Sequence, residues 1–471
     1  MSCSEVELDN RGPGLATAAT AIREANDHGG DGAQPPTQNE FSLPPADTGK
    51  DAWLFLAACW TVEALVWGFG FSFGVFQEYY TSHLPFRGDG NIAVIGTTTL
   101  GVMYILTPFV IALSRLRPRW ARYFTLGGLT FASLTIGLSS LATTTAQLIA
   151  TQGVLFGLGG CFAYCPSIIY TDEWFARRKG MAYGIMWSAA GFGGAVLPLV
   201  LEALLTAYGF RTALRVWAVV LFLFAPPLSY FVRPRLPLSA AAATSGRLSA
   251  FKNVSRALSR RRQRRRLLLY QLANVVQATG YFLPGVYLPS YARATFGVST
   301  TRAALTVLLS NIAAILSSVI LGTMTDRMPV TTCLVLSAAG ASAAALMLWG
   351  LTSTLAGTYA FSVAYGLFAG GYTSIWPGIM RETANPRDPE EDEHTHHAYL
   401  DPSLVFAWLC AGRGLGNVVS GPLSDLLLRG RPWLGRAPGG YGSGFGSLIV
   451  YTGISAFVGG SAFFWKHLGI L

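Results

Sequence analysis

About twelve apolar stretches, each long enough to form a membrane-crossing helix, run through this chain of 471 residues. The hydrocarbon core of a bilayer requires roughly 20 apolar residues per crossing helix, and backbone polar groups there must be paired within that helix. The sequence therefore predicts a helical protein that crosses a membrane many times. The stretches lie at 52–76, 92–113, 122–142, 146–170, 181–205, 212–232, 267–290, 302–322, 331–352, 355–379, 403–427 and 445–465.

The composition and charge distribution support the same class. Hydrophobic residues make up 51% of the chain and charged residues only 12%, which is unusual for a soluble enzyme. The net charge of +10 could indicate a nucleic-acid partner, but Lys and Arg concentrate in alternate loops between the apolar stretches. The positive-inside bias of membrane proteins explains this distribution. We therefore expect membrane lipid rather than nucleic acid to surround the chain. We expect a multi-pass protein of the plasma membrane with both termini in the cytosol.

The chain divides into four regions. Residues 1–50 are rich in Gly, Pro, Ala and Asp, have no apolar core of a signal peptide, and are predicted to form a disordered cytosolic tail. Two predicted six-helix bundles, 51–232 and 267–471, flank a basic cytosolic linker at 233–266. A six-plus-six arrangement around a central linker is typical of two-bundle secondary transporters, which bind substrate between the bundles. We expect a monomer of about 12 transmembrane helices.

Several motifs support this arrangement. The turn that begins at Gly322 and ends in Asp326-Arg327 resembles the Gly-x-x-x-Asp-Arg turn of the major facilitator superfamily, which implies a latch between the bundles. The equivalent stretch of the first half, 113–117, lacks the acid. Three further stretches resemble the monocarboxylate-transporter branch of that superfamily, particularly its fungal members: Trp67-Gly68 with 72–80, 174–184 with 188–194, and 412–417 with 420–424.

This resemblance implies the major facilitator fold and gating or structural roles for some of the motif residues. The sequence differs from the monocarboxylate-transporter branch at two places that concern the substrate. The first stretch contains no lysine, and 303–321 contains no charge, whereas animal monocarboxylate carriers place charged groups there. Coupling to lactate or pyruvate therefore does not carry over. The residues assigned gating or structural roles are Gly322, Asp326, Arg327, Arg177, Arg178 and Gly191.

Two ionisable residues, Glu63 and Arg413, fall near the middle of predicted spans. A charge there costs several kcal/mol unless it is paired or hydrated, so intramembrane ionisable residues are functional candidates. One hypothesis makes Arg413 the anion-binding group and Glu63 a proton-coupling carboxyl. The alternative is a static pair of Glu63 with Arg413, or separate pairing with backbone groups, that holds the bundles together.

Polar and aromatic residues within the spans could line a substrate site. Gln271, Asn274 and Gln277 recur at three-residue spacing and form a polar stripe on one helix face. Interhelical hydrogen bonding explains these amides equally well, and interface anchoring explains the aromatics. The remaining candidates for the lining are Asn311, Asn417, Tyr281, Tyr372 and Trp376.

Other features of the chain indicate no cofactor or metal. Trp376-Pro377 could mark a bend used in gating or the end of a helix, since proline removes a helix hydrogen bond. The acidic and histidine-rich loop 381–402 fits no defined metal-ligand spacing and is predicted to be a flexible cytosolic loop. No nucleotide-binding loop and no hydrolase nucleophile motif occur, so we expect neither an enzyme nor an ATP-driven pump.

These observations predict a secondary active transporter that moves a small organic anion or related metabolite by alternating access, with proton coupling as an option. Three alternatives stay open at this point: an exporter of a secondary metabolite, a non-transporting solute receptor on the same scaffold, and a channel. Saturable uptake with counterflow would separate a carrier from a channel, and binding without flux would indicate the receptor.

Overall fold

The computed structural model describes residues 44–236, 261–384 and 401–469. Within these ranges nearly every residue is helical and none forms a strand, which confirms the predicted all-α class. The predictions made for the tail before residue 44, for most of the basic linker and for the acidic loop after residue 384 lie outside the described residues.

The first half contains six long helical segments in the predicted order, with a short helix, Pro118–Ala121, between the second and the third. The last two predicted spans of this half, 181–205 and 212–232, form one helical run of 53 residues that Gly209 divides, with φ 77° and ψ 170°. A positive φ of this kind is readily adopted only by glycine, so the break follows from the sequence. The segments are α1 (Lys50–Ser82), α2 (Ile92–Leu116), α3 (Phe124–Ser139), α4 (Thr145–Trp174), and α5 and α6, the parts of Lys179–Phe231 before and after Gly209.

The second half also contains six segments. Three of them are interrupted. One break follows Tyr281, one lies around Gly370-Gly371, where a short 3-10 turn precedes the rest of the helix, and one lies at Gly459-Gly460. The segments are α7 (Arg261–Tyr281 with Leu283–Phe296), α8 (Thr300–Thr325), α9 (Val330–Trp349), α10 (Leu355–Ala369 with Trp376–Ala384), α11 (Pro402–Leu428) and α12 (Gly446–His467).

Eight helical stretches of the described chain are individually long and apolar enough to cross a membrane, fewer than the twelve predicted spans. The difference has three physical causes. The run through α5 and α6 counts once, and α3 has only 16 residues. The helices of α7 and α10 are interrupted, and the first part of α7 begins with an arginine-rich turn. The placement of the domain boundaries at 51–232 and 267–471 stays a prediction.

The two halves meet along two helix pairs, α5 with α8 and α2 with α11. Glycine permits the closest approach: a Cβ added at Gly180 would lie 2.2 Å from the Gly322 carbonyl oxygen, and one at Gly322 would lie 2.4 Å from the Gly180 carbonyl oxygen. Such small-residue contacts are how helices approach each other in lipid, where no hydrophobic effect drives them together. Gly322, predicted to be structural, is therefore a contact between the halves.

Candidate functional site

Arg413 lies in the interior of α11 with 2% of its surface exposed. Its Nη1 donates a hydrogen bond of 3.0 Å to Oε1 of Gln277 on α7. The guanidinium carbon lies 4.4 Å from the ring centroid of Tyr281 and 5.5 Å from that of Phe282. Rings stabilise a desolvated cation by about 2 kcal/mol without neutralising it. Among the described residues no ion pair involves Arg413, and its Nε has no hydrogen-bond partner there.

Glu63 is buried in α1, with 1% of its surface exposed. Its Oε1 has no hydrogen-bond partner in the described part of the chain, and no ion pair joins Glu63 to Arg413 there. The two residues are connected indirectly, because Cys410 on α11 interacts electrostatically with both. The static pair considered from the sequence is therefore not present in this conformation.

The polar stripe of α7 holds α11 in place. Nε2 of Gln271 donates 2.6 Å to the Trp408 carbonyl, and Nδ2 of Asn274 donates 2.7 Å to the Leu409 carbonyl. Gly412 allows the contact, since a Cβ there would lie 2.4 Å from Nε2 of Gln271. These bonds fix the rotation of α11 and so the direction of Arg413. Oδ1 of Asn274 is left buried without a partner among the described residues.

Aromatic residues of the first half complete the surroundings of Arg413. The Tyr104 hydroxyl on α2 lies in interaction range of the guanidinium, and Tyr104 packs on Gly414 of α11. The Trp67 ring lies 4.6 Å from that of Tyr104 and 5.3 Å from that of Tyr164, measured between centroids. Sequence reasoning missed Tyr104 and Tyr164, because nothing local distinguishes them among 19 tyrosines.

Asn311 connects the halves near the middle of α8. Its Nδ2 donates a hydrogen bond of 2.8 Å to the Gly194 carbonyl on α5. Gly191, one turn earlier, lies against the same part of α8, where an added Cβ would be 3.0 Å from the Asn311 carbonyl oxygen. Both predicted residues therefore lie at the contact between α5 and α8.

The two remaining predicted binding residues, Tyr372 and Asn417, lie on different segments of the second half. The Tyr372 hydroxyl donates a 3.3 Å bond to the Gly459 carbonyl on α12. Asn417 is half-buried on α11, four residues after Arg413, and so lies on the same face of that helix. Of the predicted binding residues, the structure thus brings Arg413 and Gln277 into direct contact, and Tyr372 interacts electrostatically with Arg413. Asn274 lies one helix turn from Gln277 on α7, and Asn417 lies one helix turn from Arg413 on α11.

The turn after α8 forms a contact between the halves at one end of the helices. Asp326 accepts hydrogen bonds from the backbone N–H groups of Gly180 (2.8 Å) and Met181 (2.9 Å) at the start of α5. Nη1 of Arg381 lies 3.5 Å from the same carboxylate, while the Arg327 side chain is exposed. A carboxylate at a helix N-terminus is favoured by the unpaired N–H groups and the helix dipole. The motif therefore makes the implied latch.

A second latch joins α2 to α11 with its charges reversed. The first half lacks the acid but has Arg115 in the last turn of α2, and Asp401 lies at the N-terminus of α11. Nε and Nη2 of Arg115 contact the two oxygens of Asp401 at 2.8 and 3.0 Å, and both groups contact Ser403. The missing acid of the first half is thus replaced by one 286 residues later.

The same end of the helices, which we call the basic end because it carries 115–122 and 177–179, is closed by three rings. Trp187 of α5 stacks on Phe406 of α11 at 5.7 Å, and Trp376 of α10 meets Phe406 at 5.6 Å and Trp187 at 6.2 Å. We call these rings the aromatic gate. Pro377 is the second residue of a new helical segment, so the break in α10 precedes the Trp376-Pro377 pair.

The loop before α5 is held by a residue that precedes α1. Asp47 accepts hydrogen bonds of 3.0–3.2 Å from the backbone N–H groups of Ala176, Arg177 and Arg178. Partial burial by itself would raise the pKa of Asp47, but these three donors and the nearby Arg178 charge hold the pKa below its ordinary value. The side chains of Arg177 and Arg178 are exposed, so their backbone makes these contacts.

Comparison with known proteins identifies the family. Residues 64–391 match the sequence profile described as the Major Facilitator Superfamily. The chain belongs to this superfamily. It is therefore an integral multi-pass membrane transporter.

Its relatives are fungal transporters. The chain is 29% identical over 292 residues to the MFS-type transporter pytF of Aspergillus terreus, covering 62% of this chain and 95% of that protein. It is 25% identical over 427 residues to the MFS-type transporter hasB of Aspergillus fumigatus, covering 88% and 89%. It is 26% identical over 335 residues to the fujikurins efflux protein of Gibberella fujikuroi, covering 70% and 69%.

Solved structures support the fold. The proton:xylose symporter XylE superimposes with a TM-score of 0.60 at 14% identity, covering 88% of this chain and 95% of XylE. The human organic anion transporter MFSD10 superimposes with a TM-score of 0.56 at 14% identity, covering 87% and 98%. The predicted major facilitator fold of two six-helix bundles is confirmed, and the narrower monocarboxylate branch stays a prediction.

Proposed function

We propose that this transporter exports an amphipathic organic anion, a carboxylate carried on an aromatic or conjugated body, and that Arg413 binds the anionic group. The observation that carries the proposal is a buried guanidinium whose neighbours are an amide and aromatic rings rather than an acid. A buried charge without a counter-ion is costly, so the site gains free energy when an anion enters.

The rings around Arg413 support the second part of the proposal. Tyr281 and Tyr104 lie beside the guanidinium, and the Trp67 ring packs on that of Tyr104. These three rings supply flat apolar faces with polar tips to this region. Ligand sites commonly combine such apolar walls with a small number of polar groups that fix orientation. A small carboxylate such as lactate would leave most of these faces unused, whereas a larger conjugated anion would cover them. This favours a secondary metabolite over the smallest members of the monocarboxylate class.

Glu63 supports coupling to protons. A carboxyl buried at this depth with an unpaired oxygen is most stable when protonated, because the charged form would have no counter-ion. Entry of water when the site opens would stabilise the carboxylate and release the proton. Cys410, one helix turn before Arg413 on α11, interacts electrostatically with both Glu63 and Arg413 and would connect the coupling group to the anion site.

Alternating access follows from the two ends of the helices. In this conformation the basic end is closed by both latches and the aromatic gate. We propose that this end is cytosolic, with both termini on that side, in a monomer of the plasma membrane. The positive-inside distribution supports this orientation, and the fujikurins efflux protein among the relatives supports export. The substrate would then enter from the basic end after the latches open.

The test is transport in sealed vesicles with a panel of carboxylates that differ in aromatic body, at two external pH values. We expect saturable, counterflow-competent flux of the larger carboxylates. Arg413→Lys should reduce it about tenfold or more, because a lysine retains charge but loses the planar fork. Glu63→Gln should remove the pH dependence. Arg302→Lys, at an exposed arginine, is the matched control. Unchanged flux in Arg413→Lys would contradict the anion site, and substrate binding without flux in the wild type would indicate a receptor.

A further inference from the structure

The backbone at the start of α5 donates hydrogen bonds to two carboxylates, one from the segment before α1 and one from the turn after α8. Asp47 accepts hydrogen bonds from the N–H groups of residues 176–178, and Asp326 accepts them from the N–H groups of Gly180 and Met181. Five backbone donors within six residues are thus divided between a segment of the first half and a turn of the second half. The segment before α1 and the latch after α8 therefore act on one short stretch of backbone.

The sequence of α5 makes it depend on these outside acceptors. The first N–H groups of any helix lack intrahelical partners, and a side chain at the N-cap normally accepts one of them. Arg178 occupies that position in α5 and makes no such bond. The N-terminal donors of α5 are consequently satisfied by distant carboxylates, so its position depends on both of them.

The segment that contains Asp47 is itself fixed to the protein. The Asp47 N–H donates 2.9 Å to the Trp174 carbonyl at the end of α4. Nε of Arg235, just after α6, donates 2.7 Å to the Pro44 carbonyl. Asp47 has φ +61°, a conformation that Asp and Asn tolerate better than most residues. The contact is therefore supported from both sides rather than by one surface bond.

We propose that Asp47 is a positioning residue of the transport cycle: it holds the loop before α5 in the arrangement in which Gly180 and Met181 present their N–H groups to Asp326. The closed basic end would then be stabilised jointly from the segment before α1 and from the other half of the protein. This inference rests on the alternating access proposed above, but it requires no knowledge of the substrate.

The experiment measures the closed and open populations directly. Spin labels at Arg119→Cys and Met328→Cys, exposed positions on the two halves at the basic end, report their separation in the full chain by pulsed electron resonance. Cys3→Ser removes the cysteine before residue 44, and the five cysteines of the described part are buried. The variants are Asp47→Asn, Asp47→Gly, Asp326→Asn and the Asp47→Asn/Asp326→Asn double variant, with Asp51→Asn as the matched control.

The proposal predicts a graded result. Asp47→Asn retains the backbone conformation and one acceptor oxygen, so the ratio of open to closed protein should rise about fivefold, within the usual range of coupling between sites. Asp47→Gly retains only the backbone freedom and should have the larger effect. The double variant should open little more than Asp326→Asn alone, because both changes disable one contact. Asp51→Asn, which alters an exposed carboxylate in the first turn of α1, should match the wild type.

Two results would overturn the proposal. In one, Asp47→Asn gives the same distance distribution as Asp51→Asn while Asp326→Asn opens the basic end. In the other, the effects of Asp47→Asn and Asp326→Asn multiply in full, which would mean that the residues act independently. Asp47→Asn is nearly isosteric, so it decides the question even where Asp47→Gly cannot be purified. Unchanged flux in Arg413→Lys would contradict the proposed anion site without affecting these distances.

Discussion

The reversed latch between Arg115 and Asp401 should contribute measurably to closure of the basic end. The pair is bidentate, with N–O distances of 2.8 and 3.0 Å, and its side chains are 25% and 20% exposed. A fully exposed pair contributes at most about 1 kcal/mol, while a charge-assisted hydrogen bond shielded from water contributes about 1.5–3 kcal/mol. We therefore expect a coupling of about 1–2 kcal/mol, or about fivefold to thirtyfold in the open-to-closed ratio.

The variants must separate the ion pair from the other role of Asp401. Its carboxylate also accepts from the Ser403 N–H at 3.0 Å and so caps α11. Exchanging the two residues would place an arginine at the helix N-terminus and lose that cap, at a cost of about 1 kcal/mol. Asp401→Asn avoids this cost, because asparagine is an equally good N-cap residue. Arg115→Gln removes the other charge and retains a polar side chain of similar reach.

The assay is a double-mutant cycle on the labelled pair at positions 119 and 328, with the wild type, both single variants and the double variant measured in the same detergent or nanodisc. We expect each single variant to open the basic end and the double variant to open it little further. If the two effects multiply, the coupling is zero and the reasoning that links this ion pair to closure is refuted. High salt should reduce the coupling only in part, since the pair is mostly shielded.

Two further predictions concern the start of α5. Gly180→Ala should weaken the contact between α5 and α8 by about 1–3 kcal/mol, the usual cost of overpacking, because its Cβ would lie 2.2 Å from the Gly322 carbonyl oxygen. Thermal unfolding measures this loss of stability. The control Gly74→Ala, whose Cβ would have no atom within 4 Å, should leave the stability unchanged. The folded protein lowers the pKa of Asp47 from 3.8, so the stability that its carboxylate contributes is present above that pH and declines as the pH falls below it. Between about pH 6 and about pH 3, Asp47→Asn should therefore lose less unfolding stability than the wild type.

Local sequence could predict part of the candidate site. An ionisable residue inside an apolar stretch is visible without any structure, which is how Glu63 and Arg413 were found, and the amide stripe of α7 was visible by its spacing. The sequence could not indicate that Gln277 would bind Arg413 while Gln271 and Asn274 bind the backbone of α11. These outcomes depend on how far each helix is rotated about its axis.

The sequence by itself determined the all-α class, the order of the helices, the break at Gly209 and the latch motif at Asp326, because length, hydropathy and backbone preference are properties of short segments. Only the tertiary structure decided that Glu63 and Arg413 are unpaired with each other, that Asp401 supplies the acid missing from the first half, and that Asp47 reaches the start of α5. The contacts of Asp401 and of Asp47 each join residues more than a hundred positions apart. In lipid the helices are apolar on most faces, so hydropathy leaves their rotation and pairing to side-chain contacts that exist only once the chain is folded.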